Sequence, residues 1–214
     1  MRGGTCLHKL FLPQPLRYSE DLDYVQFVTQ PIGPVFDRLR DIGAEIGLDV
    51  VRTEVSEHMA RLRFRATSIE GVPIRIKVEA NTREKEPLNP HEFREIAVDS
   101  RWFSGRALVR TFAIDELLGT KVRALYQRRK GRDLFDLWLG FTRLGADPNQ
   151  VARAFRHYLG AADAPADAIG KNFQAKLQQP VFRADLEALV TTVPVEFSFD
   201  TAMQFIVSEL VPLL

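Results

Sequence analysis

Residues 3–27 read GGTCLHKLFLPQPLRYSEDLDYVQF, and the stretch Ser19-Glu20-Asp21-Leu22-Asp23-Tyr24-Val25 within them decides the fold. Asp21 and Asp23 lie two apart among Leu22, Tyr24, Val25 and Phe27, a composition that predicts a strand over 20–28. In a strand, residues two apart point to the same face, so both carboxylates share one side. Two like charges side by side repel unless a cation lies between them. A hard divalent ion takes oxygen ligands, often one or two carboxylates plus substrate phosphates. The plain alternative is a solvated edge strand with two exposed acids. Upstream, Gly3-Gly4-Thr5 suits a turn entering a helix, with backbone N–H groups and a hydroxyl available to a phosphate. Ser19 could hold a phosphate or order the loop.

Outward from this stretch, residues 4–11 are expected as a short helix ended by Pro13 and Pro15. Residues 31–47 repeat apolar side chains at helical spacing (Ile32, Val35, Phe36, Leu39, Ile42, Ile46). Residues 49–55, 60–67 and 72–80 alternate as strands, with Leu62, Phe64 and Ala66 set against Arg61, Arg63 and Arg65. Residues 81–92 are expected as a loop, and 93–98 and 106–112 as two further short strands. From about residue 113 the pattern turns helical, with helices expected over 114–129, 132–143, 148–159, 166–177, 182–191 and 198–212. The fold class is therefore α+β. A mixed or antiparallel sheet with flanking helices spans 1–112, and a helical C-terminal domain spans 113–214.

Three further positions carry chemistry. Glu79 sits on the apolar strand 72–80; beside 20–28 it would be a third carboxylate, and otherwise an acid paired with Lys77 or an arginine. Lys121 lies among apolar residues of the helix over 114–129, either snorkelling to solvent or directed at a triphosphate. Asp133 and Asp136, three apart, share a helix face. Asp133 suits a first-turn charge, while Asp136 could hold Lys121 or a ligand group. Between Arg101 and Arg132 the chain concentrates basic residues, among them Arg106, Arg110, Arg123, Arg128, Arg129 and Lys130. Such a run is a solvated face or a contact for an RNA backbone.

Composition excludes several classes. The net charge is +1 over 214 residues, so nucleic-acid contact would need a local patch rather than a polycation. A single cysteine, Cys6, rules out an internal disulfide framework. His8, His58, His91 and His157 lack zinc-like spacing. No apolar run is long enough for a bilayer, so a soluble cytoplasmic protein with no membrane partner is expected.

Taken in order, G-G-T-x-L-x-K, R-x-S-E-D-L-D, K-V-E, L-L-x-x-K-x-x-A-L and R-D-L-F-D-L resemble the AbiEii/AbiGii (MenT-like) nucleotidyltransferase toxins of the DNA polymerase β-like superfamily, over about residues 3–140. The resemblance implies a nucleotidyltransferase-like fold in a toxin of a toxin–antitoxin system. It implies nucleotide transfer from an NTP to RNA, the tRNA 3′ end in some members, with Mg²⁺ or Mn²⁺ as cofactor and a cognate antitoxin as partner. By this resemblance Asp21 and Asp23 are catalytic metal ligands joined by Glu79. Lys121 and Asp136 complete the catalytic set, and Gly3, Gly4, Thr5, Lys9, Ser19 and Asp133 bind the nucleotide. In some relatives a serine or threonine near Ser19 is phosphorylated through the antitoxin, making Ser19 a candidate regulatory site. Two departures are notable. Relatives usually carry a helix and a strand before the Gly-Gly motif, whereas here that strand is missing, and the third acid is the longer Glu79. A small-molecule nucleotidyltransferase and a catalytically inactive binding module remain the alternatives.

Overall fold

The computed structural model describes residues 1–19, 21–28, 30–83, 86–101, 103–160, 164–190 and 194–214. The expected element ends at residues 20 and 191 lie outside these. By packing, the chain forms two units: Met1–Cys6 with Ser19–Pro87, and Leu7–Tyr18 with Leu88–Leu214.

In the first unit, α1 (Gly3–Cys6) is followed by β1 (Asp21–Val25), α2 (Gly33–Glu45), β2 (Asp49–Val55), β3 (Met59–Thr67) and β4 (Pro73–Asn81). The four strands make one sheet in the order β1-β4-β3-β2. β1 runs parallel to β4, and the other two pairings are antiparallel. Alternation along β3 explains the packing. Ala60, Leu62 and Phe64 are buried with Phe36 of α2 and with Val78 and Ala80 of β4, while Arg61, Arg63 and Arg65 take the opposite face. The helix expected over 31–47 forms over a shorter range. Of its apolar stripe only Phe36 is buried, where it packs against the sheet; Val35, Ile42 and Ile46 remain exposed.

In the second unit, Leu7–Phe11 form a π-helical turn, and β5 (Glu92–Asp99) and β6 (Ser104–Thr111) form an antiparallel hairpin. Among the described residues six α-helices follow: α3 (Ile114–Gln127), α4 (Gly131–Arg143), α5 (Pro148–Leu159), α6 (Ala166–Leu177), α7 (Pro180–Glu187) and α8 (Phe199–Phe205). The helix expected over 198–212 is divided. α8 gives way to a π-helical stretch, Ile206–Leu210, and a 3₁₀ turn, Val211–Leu213, which contains Pro212, a residue with no N–H to donate. Leu118, Val122 and Leu125 of α3, Leu134 and Phe135 of α4, Phe155 of α5 and Phe173 of α6 meet in one core. Gly119 allows α3 and α5 to approach closely, since a Cβ there would strike Ala154 and the Phe155 backbone. Asp147 caps α5 by accepting from the Asn149 N–H, with Pro148 opening the helix. Lys176 of α6 caps α3 by donating to the Leu125 and Tyr126 carbonyls. The hairpin thus packs with the helices, and the packing division falls at Pro87/Leu88 rather than near residue 113. The change from strand to helix does occur at Ile114.

Candidate functional site

The first cluster lies on the sheet. In the parallel register Asp21 stands opposite Lys77 and Asp23 opposite Glu79, so all four residues share the face away from α2. The Lys77 ammonium lies 3.0 Å from Asp21 Oδ2 and 3.1 Å from Glu79 Oε1. Arg61 Nε donates to Glu79 Oε1 at 2.7 Å. Burial by itself would raise the Glu79 carboxyl, but Arg61 and Lys77 hold it below its ordinary range. Burial would lower Lys77, and Asp21 and Glu79 raise it above its ordinary value.

α1 buttresses Asp21 and Asp23. The Arg2 N–H donates to the Asp23 carbonyl at 2.8 Å, and the Thr5 hydroxyl to the Asp21 carbonyl at 2.5 Å. Gly3 has φ +80° and lies directly against the Asp23 carboxylate, where a Cβ would collide. Glycine is therefore required here by conformation and by space. Thr5 is buried and commits its single proton to β1, which leaves it only acceptor capacity. Gly4 is buried and Ser19 half-buried.

These residues can be tested against a divalent ion. Asp21 and Asp23 offer the hard oxygen donors that Mg²⁺ takes, and a seat of one or two carboxylates is completed by substrate phosphates. Glu79 stands in the expected register but is satisfied by Arg61 and Lys77. Among the described residues no group of three or more His, Cys, Asp or Glu side chains is arranged to hold a metal. The fit is to a two-carboxylate seat.

The second cluster lies within the helical unit. Asp133 and Asp136 are both fully buried on α4. Asp136 accepts from Arg17 in a two-point fork, Nε at 2.8 Å and a terminal nitrogen at 2.7 Å. It also meets His8 Nε2 at 3.1 Å and the Lys121 ammonium at 2.7 Å. Asp133 takes a similar fork from Arg128, at 2.7 and 2.8 Å, and lies 3.3 Å from Lys121. Burial would raise Asp136; Lys121 and Arg17 instead hold it well below the usual carboxylate range. Asp133 is likewise lowered against burial by Lys121 and Arg128. Lys121 is only 7% exposed and does not snorkel. Asp136 has no solvent contact, so its part is to position Lys121 and Arg17. Lys9 is exposed and takes no part in this network.

From the sequence, Arg17 and His8 carry no site role, Arg128 stands only in the basic run, and Lys77 only as an alternative partner of Glu79. Arg17 was nonetheless visible as the first residue of R-x-S-E-D-L-D. Lys77 becomes meaningful only once β4 is known to pair in parallel with β1.

A small mixed sheet bearing paired carboxylates, with a helical unit beside it in sequence, defines the class of nucleotidyltransferase-like proteins. The model of the AbiEii nucleotidyl transferase toxin family, of type IV toxin–antitoxin systems, matches residues 1–204. The chain belongs to this family. Its fold is similar to that of MenT4, a nucleotidyltransferase toxin from Mycobacterium tuberculosis H37Rv, with a TM-score of 0.61 at 17% identity, covering 98% of this chain and 74% of that one. Over 93 residues the chain is also 33% identical to a 3-phosphoshikimate 1-carboxyvinyltransferase of Bradyrhizobium sp. (strain ORS 278). That match covers 43% of this chain and 19% of that protein, so the chain spans about a fifth of the length of the curated relative it matches. No helix among the described residues is long and apolar enough to cross a membrane.

Proposed function

We propose that this chain is the toxin of a toxin–antitoxin pair and transfers a nucleotide from an NTP to RNA, at the 3′ acceptor end of tRNA. In this reading it acts in the cytoplasm and is restrained by a cognate antitoxin. The observation that carries the reading is the Asp21/Asp23 pair on one sheet face, held from behind by Arg2, Gly3 and Thr5.

Asp21 and Asp23 would hold Mg²⁺ or Mn²⁺. When bound, such an ion supplies charge neutralisation on the triphosphate and acidity at the attacking hydroxyl. Arg61 and Lys77 hold Glu79 ionised behind the pair, so that the face keeps its negative potential. Gly3 holds the Asp23 carboxylate in place. Lys121, held between Asp133 and Asp136, is the candidate contact for a triphosphate oxygen. Gly4, Lys9 and Ser19 are further candidate nucleotide contacts.

The test is incubation of the purified chain with total tRNA and each α-labelled NTP, for wild type and Asp21→Ala. Labelling of tRNA by the wild type alone is expected. Label on a small-molecule acceptor instead would move the activity to that substrate class, and no label with any NTP would sink the reading. A second readout is Mn²⁺ binding by electron paramagnetic resonance, which Asp23→Asn should weaken at least about tenfold, within the range for lost metal-site groups.

A further inference from the structure

The sheet face that carries Asp21 and Asp23 continues away from them as a basic surface. Every outward residue of the central part of β3 is an arginine: Arg61, Arg63 and Arg65. The register sets Arg63 opposite Lys77, and Arg65 opposite Arg75. Like charges directly opposite each other across a strand pair are destabilising, so this arrangement is not explained by sheet stability. Around Arg61 the acids Glu54 and Glu79 answer the charge. Glu54 also meets Arg63 at 3.5 Å and Arg52 at 2.6 Å. Beyond that point the compensation stops. Arg65 and Arg75 are both exposed. Asp49 faces Arg65 in the register of β2, yet no ion pair engages Arg65 or Arg75 among the described residues. The face therefore runs from an acidic end at Asp23 and Glu79, through Arg63 and Lys77, to two guanidinium groups that no ion pair among the described residues engages.

We propose that Arg65 and Arg75, with Arg63 next along the strand, bind the phosphodiester backbone of a single RNA strand whose reacting end lies toward Asp21 and Asp23. Outward residues along β3 recur every about 7 Å, a spacing that suits successive phosphates of an extended strand. Guanidinium groups meet phosphate oxygens in a fork and are only weakly hydrated. The complementarity is directional: a polyanion is held over Arg65, Arg75 and Arg63 and repelled at the carboxylates unless a cation accompanies it there. These arginines lie outside the basic run between Arg101 and Arg132 in the sequence. The identity of the reacting end rests on the proposed nucleotidyl transfer; the backbone binding does not.

The test measures binding without turnover. Fluorescence anisotropy of a labelled short single-stranded RNA is followed with the full-length chain, without NTP, between about 50 and 200 mM salt. The double variant Arg65→Gln/Arg75→Gln should bind at least about tenfold more weakly. Its log–log salt slope should be shallower by about 1.4, since each lost phosphate contact on a single strand removes about 0.7. Arg65→Lys/Arg75→Lys should keep most of the slope. The glutamine variant should melt no lower than wild type, because the opposed charges are relieved. An unchanged affinity and slope in the glutamine variant would overturn the proposal. So would tight binding of polyglutamate with none of RNA, which would make the face a seat for an acidic protein. Lost RNA binding in a chain that labels no acceptor would leave the surface standing while the transfer reading fails. Intact labelling with unaltered RNA binding in the variant would do the reverse.

Discussion

Two pairs of aspartates in this chain meet opposite fates. Asp21 and Asp23, two apart on β1, lie half-buried on a sheet face, with Asp21 meeting one lysine whose side chain is itself 31% exposed. Asp133 and Asp136, three apart on α4, have no exposed surface and are gripped by Arg17, Arg128, Lys121 and His8. The same functional group thus serves two ends. An accessible carboxylate with an exchangeable partner can receive a ligand. A dry carboxylate saturated by forked guanidinium groups cannot, and instead fixes the groups around it.

The largest expected effect breaks the buried pair. Asp136→Asn removes the counter-charge of Arg17 and Lys121 in the interior, which should cost about 3–5 kcal/mol. Urea denaturation should show a lowered midpoint with little change in slope; a loss under about 1 kcal/mol would mean that the network is solvated.

Gly3→Ala comes next. It forces a side chain into a left-handed conformation and against Asp23, at a cost of about 1–2 kcal/mol from conformation alone. Reduced Mn²⁺ binding should accompany the lowered melting temperature. Unchanged metal binding would show that Asp23 does not depend on its buttress.

Buried charges in the helical unit should also show in the pH dependence of stability. Asp133 and Asp136 titrate below their unfolded values. Their contribution is therefore full above about pH 4 and is lost as pH falls through the folded values. Asp136→Asn should flatten this acid limb, measured as unfolding free energy against pH. Lys176 adds a second rise at higher pH. Burial lowers it to about 8, so between about pH 8 and 10 the unfolded chain binds more protons and stability rises with pH. Lys176→Met should remove that rise.

The smallest effect on stability sharpens the contrast. Asp21→Ala should change the unfolding free energy by less than about 1 kcal/mol, the range of partly exposed ion pairs, while labelling in the transfer assay falls to background. A large destabilisation would make Asp21 a structural partner of Lys77.

Much of the architecture was legible in local pattern. Alternation marked β3, with Leu62 and Phe64 inward and the arginines outward, and helical spacing marked α3 to α6. The aspartate pair was legible because period-two geometry places Asp21 and Asp23 on one face whatever the strand pairs with. Lys121 and Asp136 were legible as a pair of opposite charges among apolar residues. Local pattern was silent wherever a partner comes from far along the chain. Arg17 reaches Asp136 across 119 positions, and Lys77 meets Asp21 only through the parallel register of β1 and β4.

The sequence by itself determined which residues could carry charge chemistry and which faces they occupy, because side-chain periodicity is a property of the backbone. Only the tertiary structure decided which charges are neutralised and which are left over. It gave Glu79 to Arg61 and Lys77, enclosed Asp133 and Asp136, and left Arg65 and Arg75 opposite each other with no ion pair among the described residues. Compensation of a charge depends on distance and burial, and both are fixed by strand register and helix packing rather than by position along the chain.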